Sequence, residues 1–222
     1  MNEINIVLGS ASPRRRELLG KLGIPFEIMT ADVDEDSVTV ADPAENVLAR
    51  ARLKASALQA IVPDNALVIT ADTTVADGVE MLNKPADEEE AWRMLCQLRG
   101  HTHQVHSGVI VIGTDGVEHA IVNSSDVIMR PYTDEEIAAY IATGDPMDKA
   151  GAYAIQHPEF RPVAQINGCY TGIMGLPLCD LANLFEDCGV KISITKRLND
   201  VEKQDFYLCG RCRKLFDENS VD

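Results

Sequence analysis

Apolar positions along the chain change rhythm several times, and each change marks an element. A short apolar run at 4–8 is followed by the small polar turn Gly9-Ser10-Ala11-Ser12-Pro13. Leu18, Leu19 and Leu22 then fall at helical spacing. This predicts a strand, a tight loop and a helix over 14–22, with Ser12 as N-cap and Pro13 at the first helical position. Residues 25–30 read as a second strand and the acidic stretch 32–42 as a loop. From 43 to about 61, Val47, Leu48, Ala51, Ala55 and Leu58 mark a long helix whose basic side carries Arg50, Arg52 and Lys54. The apolar run 66–70 predicts a strand that delivers Asp72 at its C-terminal end, where open α/β sheets usually place their ligands. After a loop with Gly78, Asn83 and Pro85 come a capped helix at 87–98 and a hairpin of 103–112 with 119–129. A second capped helix follows at 133–143, closed by Gly144. Residues 145–175 read as Gly-rich and irregular, and 176–188 as the last helix.

Strands alternating with helices over 222 residues suit one α/β domain, expected at 1–195, followed by a charged tail at 196–222 that carries a CxxC. Hydrophobic residues at 45% and charged residues at 25% are globular proportions. The net charge of −15 argues against a protein that binds nucleic acid by neutralising phosphates. An anionic ligand must instead be held locally, by a small basic pocket, a metal ion or backbone N–H groups. No run resembles a signal peptide or a membrane span, so the expected location is the cytoplasm. In that reducing setting the six cysteines read as thiols or metal ligands rather than disulfides, with Cys96 and Cys179 as buried thiols.

Four groups of residues could carry chemistry. Ser10, Ser12, Arg14 and Arg15 surround a helix N-terminus, where hydroxyls, guanidinium groups and free N–H groups suit phosphate oxygens. Spacing alone also fits an ordinary Ser-Pro helix start, and the loop lacks the glycines and the Lys-Ser/Thr pair of a P-loop. Asp72 could hold a divalent cation or take a proton from water; a turn-forming Asp is the plain alternative. The acidic run Asp32, Asp34, Glu35 and Asp36 offers oxygen ligands of the kind Mg²⁺ uses, or simply a solvated face. Asp148, Lys149, Tyr153 and Gln156 gather in a Gly-rich stretch, and a Gln side chain can both donate to and accept from a base edge. His101, His103 and His106 do not share one strand face, so they read as ordinary strand residues. Cys209 and Cys212 have the shape of one knuckle of a structural zinc site, which needs two more ligands; reduced thiols are the other reading.

These segments together resemble the Maf family of nucleotide pyrophosphatases from about 4 to 185. The motifs are Leu8-Gly9-Ser10-Ala11-Ser12-Pro13-Arg14-Arg15, Val33-Asp34-Glu35, Ala71-Asp72-Thr73, Lys84-Pro85, Asp148-Lys149-Ala150-Gly151-Ala152-Tyr153 with Ile155-Gln156, and Gly175-Leu176-Pro177-Leu178. The resemblance implies a long twisted mixed sheet with flanking helices and a cleft between two lobes, similar to the inosine triphosphate pyrophosphatases. It implies hydrolysis of nucleoside triphosphates to monophosphate and pyrophosphate with a divalent metal, Mg or Mn, and a homodimer. By matching position, Asp72 looks like the proton acceptor and, with Glu35, a metal ligand. Ser10, Arg15, Lys54 and Lys84 look like phosphate-binding residues. Arg14, Thr73 and Gln156 look like the specificity positions of the branch acting on dTTP and UTP. Asn83 stands where Gly is commoner before Lys-Pro, and the tail lies outside the match. A nucleotide-binding regulator of cell division without turnover is the competing reading.

Overall fold

The computed structural model describes residues 4–190. Strand β1 (Asn5–Leu8) leads through Gly9–Ser12 into helix α1 (Pro13–Lys21), as the apolar pattern predicts. Ser12 occupies the N-cap position, but its side chain caps nothing; its N–H instead donates to Ser10 Oγ at 3.2 Å. The second strand shrinks to β2 (Glu27–Ile28). Residues 32–42 form the expected loop, tightened by one 3₁₀ turn, Glu35–Ser37. Helix α2 (Pro43–Gln59) begins at Asp42, whose carboxylate accepts from Glu45 N at 2.9 Å, a cap worth about 1 kcal/mol.

Strand β3 (Ala66–Asp77) turns back at Gly78 into the short β4 (Glu80–Leu82), which the sequence reading left as loop. Helix α3 (Glu88–Leu98) is followed by the predicted hairpin, β5 (Thr102–Ile112) and β6 (Glu118–Met129). Helix α4 (Asp134–Ile141) carries a complete capping box between Thr133 and Glu136. The stretch 145–175 is less irregular than expected. It contains two 3₁₀ turns, strand β7 (Val163–Asn167) and the short helix α5 (Tyr170–Ile173), before helix α6 (Leu178–Asp187).

The sheet runs β2-β1-β3-β5-β6-β7, with β4 also on β3. β1, β2 and β3 are parallel, and every other pairing is antiparallel, so the sheet is mixed. Two core clusters share one face of it. Leu18, Leu19, Leu181 and Phe185 pack under α1 and α6, and Leu95, Leu98, Ile137 and Tyr140 pack under α3 and α4. The other face is covered by α2 through Ala51, Ala55 and Leu58. That helix crosses β5 at Gly108, where a Cβ would lie 2.9 Å from the Leu48 backbone, so only glycine admits the close approach. The long strands β3 and β5 thread both lobes and leave the cleft between them.

Cys96 and Cys188 are free thiols. Cys179 is buried. Cys209, Cys212 and the zinc reading attached to them lie outside the described residues.

Candidate active site

One edge of β3 is paired with β5 from Val68 to Ala76. Its other edge pairs with β1 only as far as Ile69, and with β4 only from Val75. Residues 70–74 therefore face the cleft along a strand edge with no strand partner among the described residues, and Asp72 and Thr73 lie in this gap. Asp72 is mid-strand, not at a strand end as its apolar approach suggested. The β-branched run Thr73-Thr74-Val75 suits further strand, and β4 and β5 hold it there. Because side chains alternate, Asp72 points to the α2 face with Thr70, whose hydroxyl donates to Ala51 O at 2.7 Å. Thr73 points to the α1 face.

On the α2 flank, Lys54 Nζ lies 2.7 Å from Asp72 Oδ1 and 2.7 Å from Glu35 Oε2. Asp72 is 7% exposed, so this pairing is largely out of water. The loop that brings Glu35 here is strapped to α2 by residues at i, i+4 and i+8. Asn46 Nδ2 donates to Val40 O at 2.8 Å, Arg50 pairs loosely with Asp36 at 3.6 Å, and Lys54 takes Glu35. An acidic run that could have been a solvated face is thus folded back onto a basic helix face.

On the α1 flank, Arg15 is held by three neutral acceptors. Nε donates to Gly175 O at 2.9 Å, Nη1 to Ser10 Oγ at 3.3 Å and Nη2 to Thr73 Oγ1 at 3.0 Å. A guanidinium has five N–H donors, which leaves two for a ligand. Burial pulls the Arg15 pKa below its ordinary value, and Arg14 adds to the fall while Asp72 and Glu35 oppose it. The group remains a cation all the same. Gly175 has φ +108°, and a Cβ there would sit 3.2 Å from Thr73 Oγ1 and 3.3 Å from Arg15 Nε, so a side chain would disturb the cradle. Ser10 accepts from Ser12 N and from Arg15, so its hydroxyl hydrogen is left to donate.

A family model described as Maf-like protein matches residues 5–188. The chain belongs to the Maf-like family. A relative named dTTP/UTP pyrophosphatase from Pelotomaculum thermopropionicum is 44% identical over 188 residues, which is 84% of this chain and 98% of the relative. Another of that name, from Moorella thermoacetica, is 45% identical over 191 residues, 84% of this chain and 96% of the relative. Among solved structures, a HAM1 protein from Coxiella burnetii overlaps at TM-score 0.45 with 14% identity, covering 83% of this chain and 100% of that one.

The Maf-like motifs converge unevenly on the cleft. Direct contacts join Ser10, Arg15 and Thr73 on one flank of β3, and Glu35, Lys54 and Asp72 on the other. Arg14 is half-buried beside Arg15, and its charge also reaches the Tyr140 hydroxyl. Lys84 and Gln156 are exposed, and the loop next to Lys84 is tied down by Gly151 N donating to Asn83 O at 3.2 Å. Lys149 is buried and spent on Asp145 Oδ1 and Asp148 Oδ1, at 2.9 and 2.6 Å. Of the histidines, His103 is buried against the Tyr153 hydroxyl at 2.7 Å and His106 pairs with Ser124 Oγ at 2.8 Å, an ordinary strand role for each. A hollow of about 440 Å³ on the outer side of α1 shares only Ser10 and Ser12 with the site and is otherwise lined by groups such as Pro13, Phe26 and Ile28. The sequence reading missed Ser107, Asn46 and the Gly175 carbonyl. A polar Ser inside the apolar run Val105 to Ile112 was the one signal that pointed to Ser107.

Proposed function

We propose that this chain hydrolyses dTTP and UTP to the monophosphate and pyrophosphate, acting in the cytoplasm as a homodimer with Mg or Mn. The observation that carries the reading is the ammonium of Lys54 seated between Glu35 and Asp72, with the half-buried guanidinium of Arg15 in electrostatic reach of both carboxylates. Two carboxylate oxygens 2.7 Å from one cation make a place that suits a divalent ion. No group of three or more ligating side chains exists among the described residues, so the remaining ligands must be water and substrate phosphates, the usual habit of Mg²⁺. When bound, that ion would acidify the attacking water and offset phosphate charge.

The chain's own groups do the rest. Ser10 and the two free N–H groups of Arg15 bind phosphate oxygens, and Asp72 takes the proton of the water aimed at the α-phosphorus. Lys54 and Lys84 neutralise charge on the departing pyrophosphate. Arg14, Thr73 and Gln156 select the pyrimidine nucleotide. The two named relatives, matched over nearly their full lengths, support the substrate choice. A panel of nucleoside triphosphates with Mg²⁺ or Mn²⁺, read by pyrophosphate and monophosphate release, tests it. Turnover of dTTP and UTP should vanish in Asp72→Asn. Folded, metal-loaded protein that binds nucleotides and hydrolyses none would favour a regulator instead.

A further inference from the structure

Ser107 is fully buried and sits opposite Thr73 in the β3–β5 ladder, behind the site and out of reach of any ligand in the cleft. Its hydroxyl has one hydrogen, and that hydrogen goes to Gly172 O at 2.7 Å, because a carbonyl can only accept. Thr73 Oγ1 lies 2.9 Å from Ser107 Oγ. With the Ser107 hydrogen already committed, Thr73 must be the donor in that contact. Thr73 meets Arg15 as an acceptor, at 3.0 Å from Nη2, because a guanidinium can only donate, and with its hydrogen held on Ser107 its lone pairs are kept toward Arg15. The result is a one-way chain, Arg15 to Thr73 to Ser107 to the Gly172 carbonyl, in which no hydroxyl is free to reverse.

We propose that Ser107 is a positioning residue for triphosphate binding: it takes the Thr73 hydroxyl hydrogen, commits Thr73 to accept from Arg15, and so aims the two remaining Arg15 N–H groups into the cleft. This rests on the reading of Arg15 as a phosphate-binding residue. Without the Ser107 oxygen, the Thr73 hydroxyl turns to seek another acceptor, and its hydrogen competes with Arg15 for the same space. The guanidinium then loses one of its three anchors. Thr73 thus acts on the phosphate end of the substrate through Arg15, whatever it also does at the base.

The test is a double-mutant cycle read in two ways, by binding of inorganic tripolyphosphate to the free protein and by kcat/KM for dTTP. Ser107→Ala should weaken tripolyphosphate binding about tenfold, the loss of roughly one hydrogen bond's net worth. Thr73→Val should do the same, and the double variant should match Thr73→Val within about twofold, since the two residues act in series. Thr73→Ser, which keeps the oxygen, should recover most of the tripolyphosphate binding that Thr73→Val loses. Should Ser107→Ala fail to fold, Ser107→Cys carries the same expectations, because its sulfur fills the space but accepts weakly. Wild-type binding in the Ser107 variant, or losses that multiply in the double variant, would overturn the inference. If the wild type itself neither bound tripolyphosphate nor hydrolysed dTTP, the proposed function would fall, which is a different result.

Discussion

On the α2 flank of β3 a lysine is held by two carboxylates, whereas on the α1 flank an arginine is held by two hydroxyls and a carbonyl. Two carboxylates and one ammonium leave the first flank short of positive charge at neutral pH. The second has a cation with no anion bonded to it among the described residues. A substrate that brings both a divalent cation and a polyanion answers both needs at once, and the unpaired edge of β3 lets it reach the two faces of the sheet together. The two flanks also differ in how they are fixed. The Arg15 cradle is built from half-buried or buried groups on α1, β3 and the turns at Ser10 and Gly175, while Glu35 comes from a partly exposed loop that is strapped to α2.

The largest break in this comparison comes from the residue at its centre. Asp72→Asn should lower kcat by about a thousandfold or more, in keeping with the worth of a positioned base, while the thermal midpoint stays close to that of the wild type. Retained turnover would remove Asp72 from its role. Next comes Arg15→Lys, which keeps the charge but cannot reach Gly175 O, Ser10 and Thr73 together. It should cost about a hundredfold in kcat/KM for dTTP, about 2.7 kcal/mol, and near-normal kinetics would mean that charge alone suffices on this flank. Lys54→Met sharpens the other side. With the ammonium gone, two carboxylates compete for a cation, so the free protein should bind Mn²⁺ about tenfold more tightly although turnover falls. Calorimetry showing weaker Mn²⁺ binding in that variant would mean the α2 flank is not a cation site.

Much of this contrast is legible in the sequence, but unequally. Elements with sustained periodicity, α2, α3, β5 and β6, fall where the pattern puts them, because each buries one long stripe or face. β7 and α5 were not legible. They are four or five residues long and exist through tertiary contacts: β7 pairs with β6 across an irregularity at Ile128/Met129, and α5 is capped by Cys169 Sγ accepting from Gly172 N. Strand β3 was cut short because its second half is Thr-rich, and polar β-branched residues look like loop when no apolar neighbour marks them. Asp72, Glu35 and Arg15 stand out in the sequence as candidate chemistry, whereas Lys54 by itself passes as one more solvated charge on the basic side of α2. Ser107 and Asn46 were not legible, being neutral and buried, with roles that appear only when the register of β3 on β5 and the fold of the 35–42 loop are known.

The smallest effect on activity, and the sharpest probe of the neutral flank, concerns His103. It lies on β5 four residues before Ser107, hence on the same face, and is 2% exposed. Burial lowers its pKa from the ordinary 6.5 to about 4, only partly opposed by Asp77. Below pH 6.5 the unfolded chain therefore takes up a proton at His103 that the folded chain refuses. Stability from this residue is complete above about pH 6.5, falls as the pH drops toward 4 and changes no further below that. The loss is at most about 3 kcal/mol. His103→Gln, which can still bond the Tyr153 hydroxyl, should turn over dTTP at pH 7.5 within about twofold of the wild type, because no charge on the Arg15 flank changes. Its urea midpoint should fall less than the wild-type midpoint between pH 7.5 and 4.5. Protonating carboxylates contribute to both proteins alike, so the difference between the two slopes isolates His103. Equal slopes would mean that His103 takes up its proton in the folded state, and that the α1 face of the sheet tolerates a charge that its hydroxyls and carbonyls do not offset.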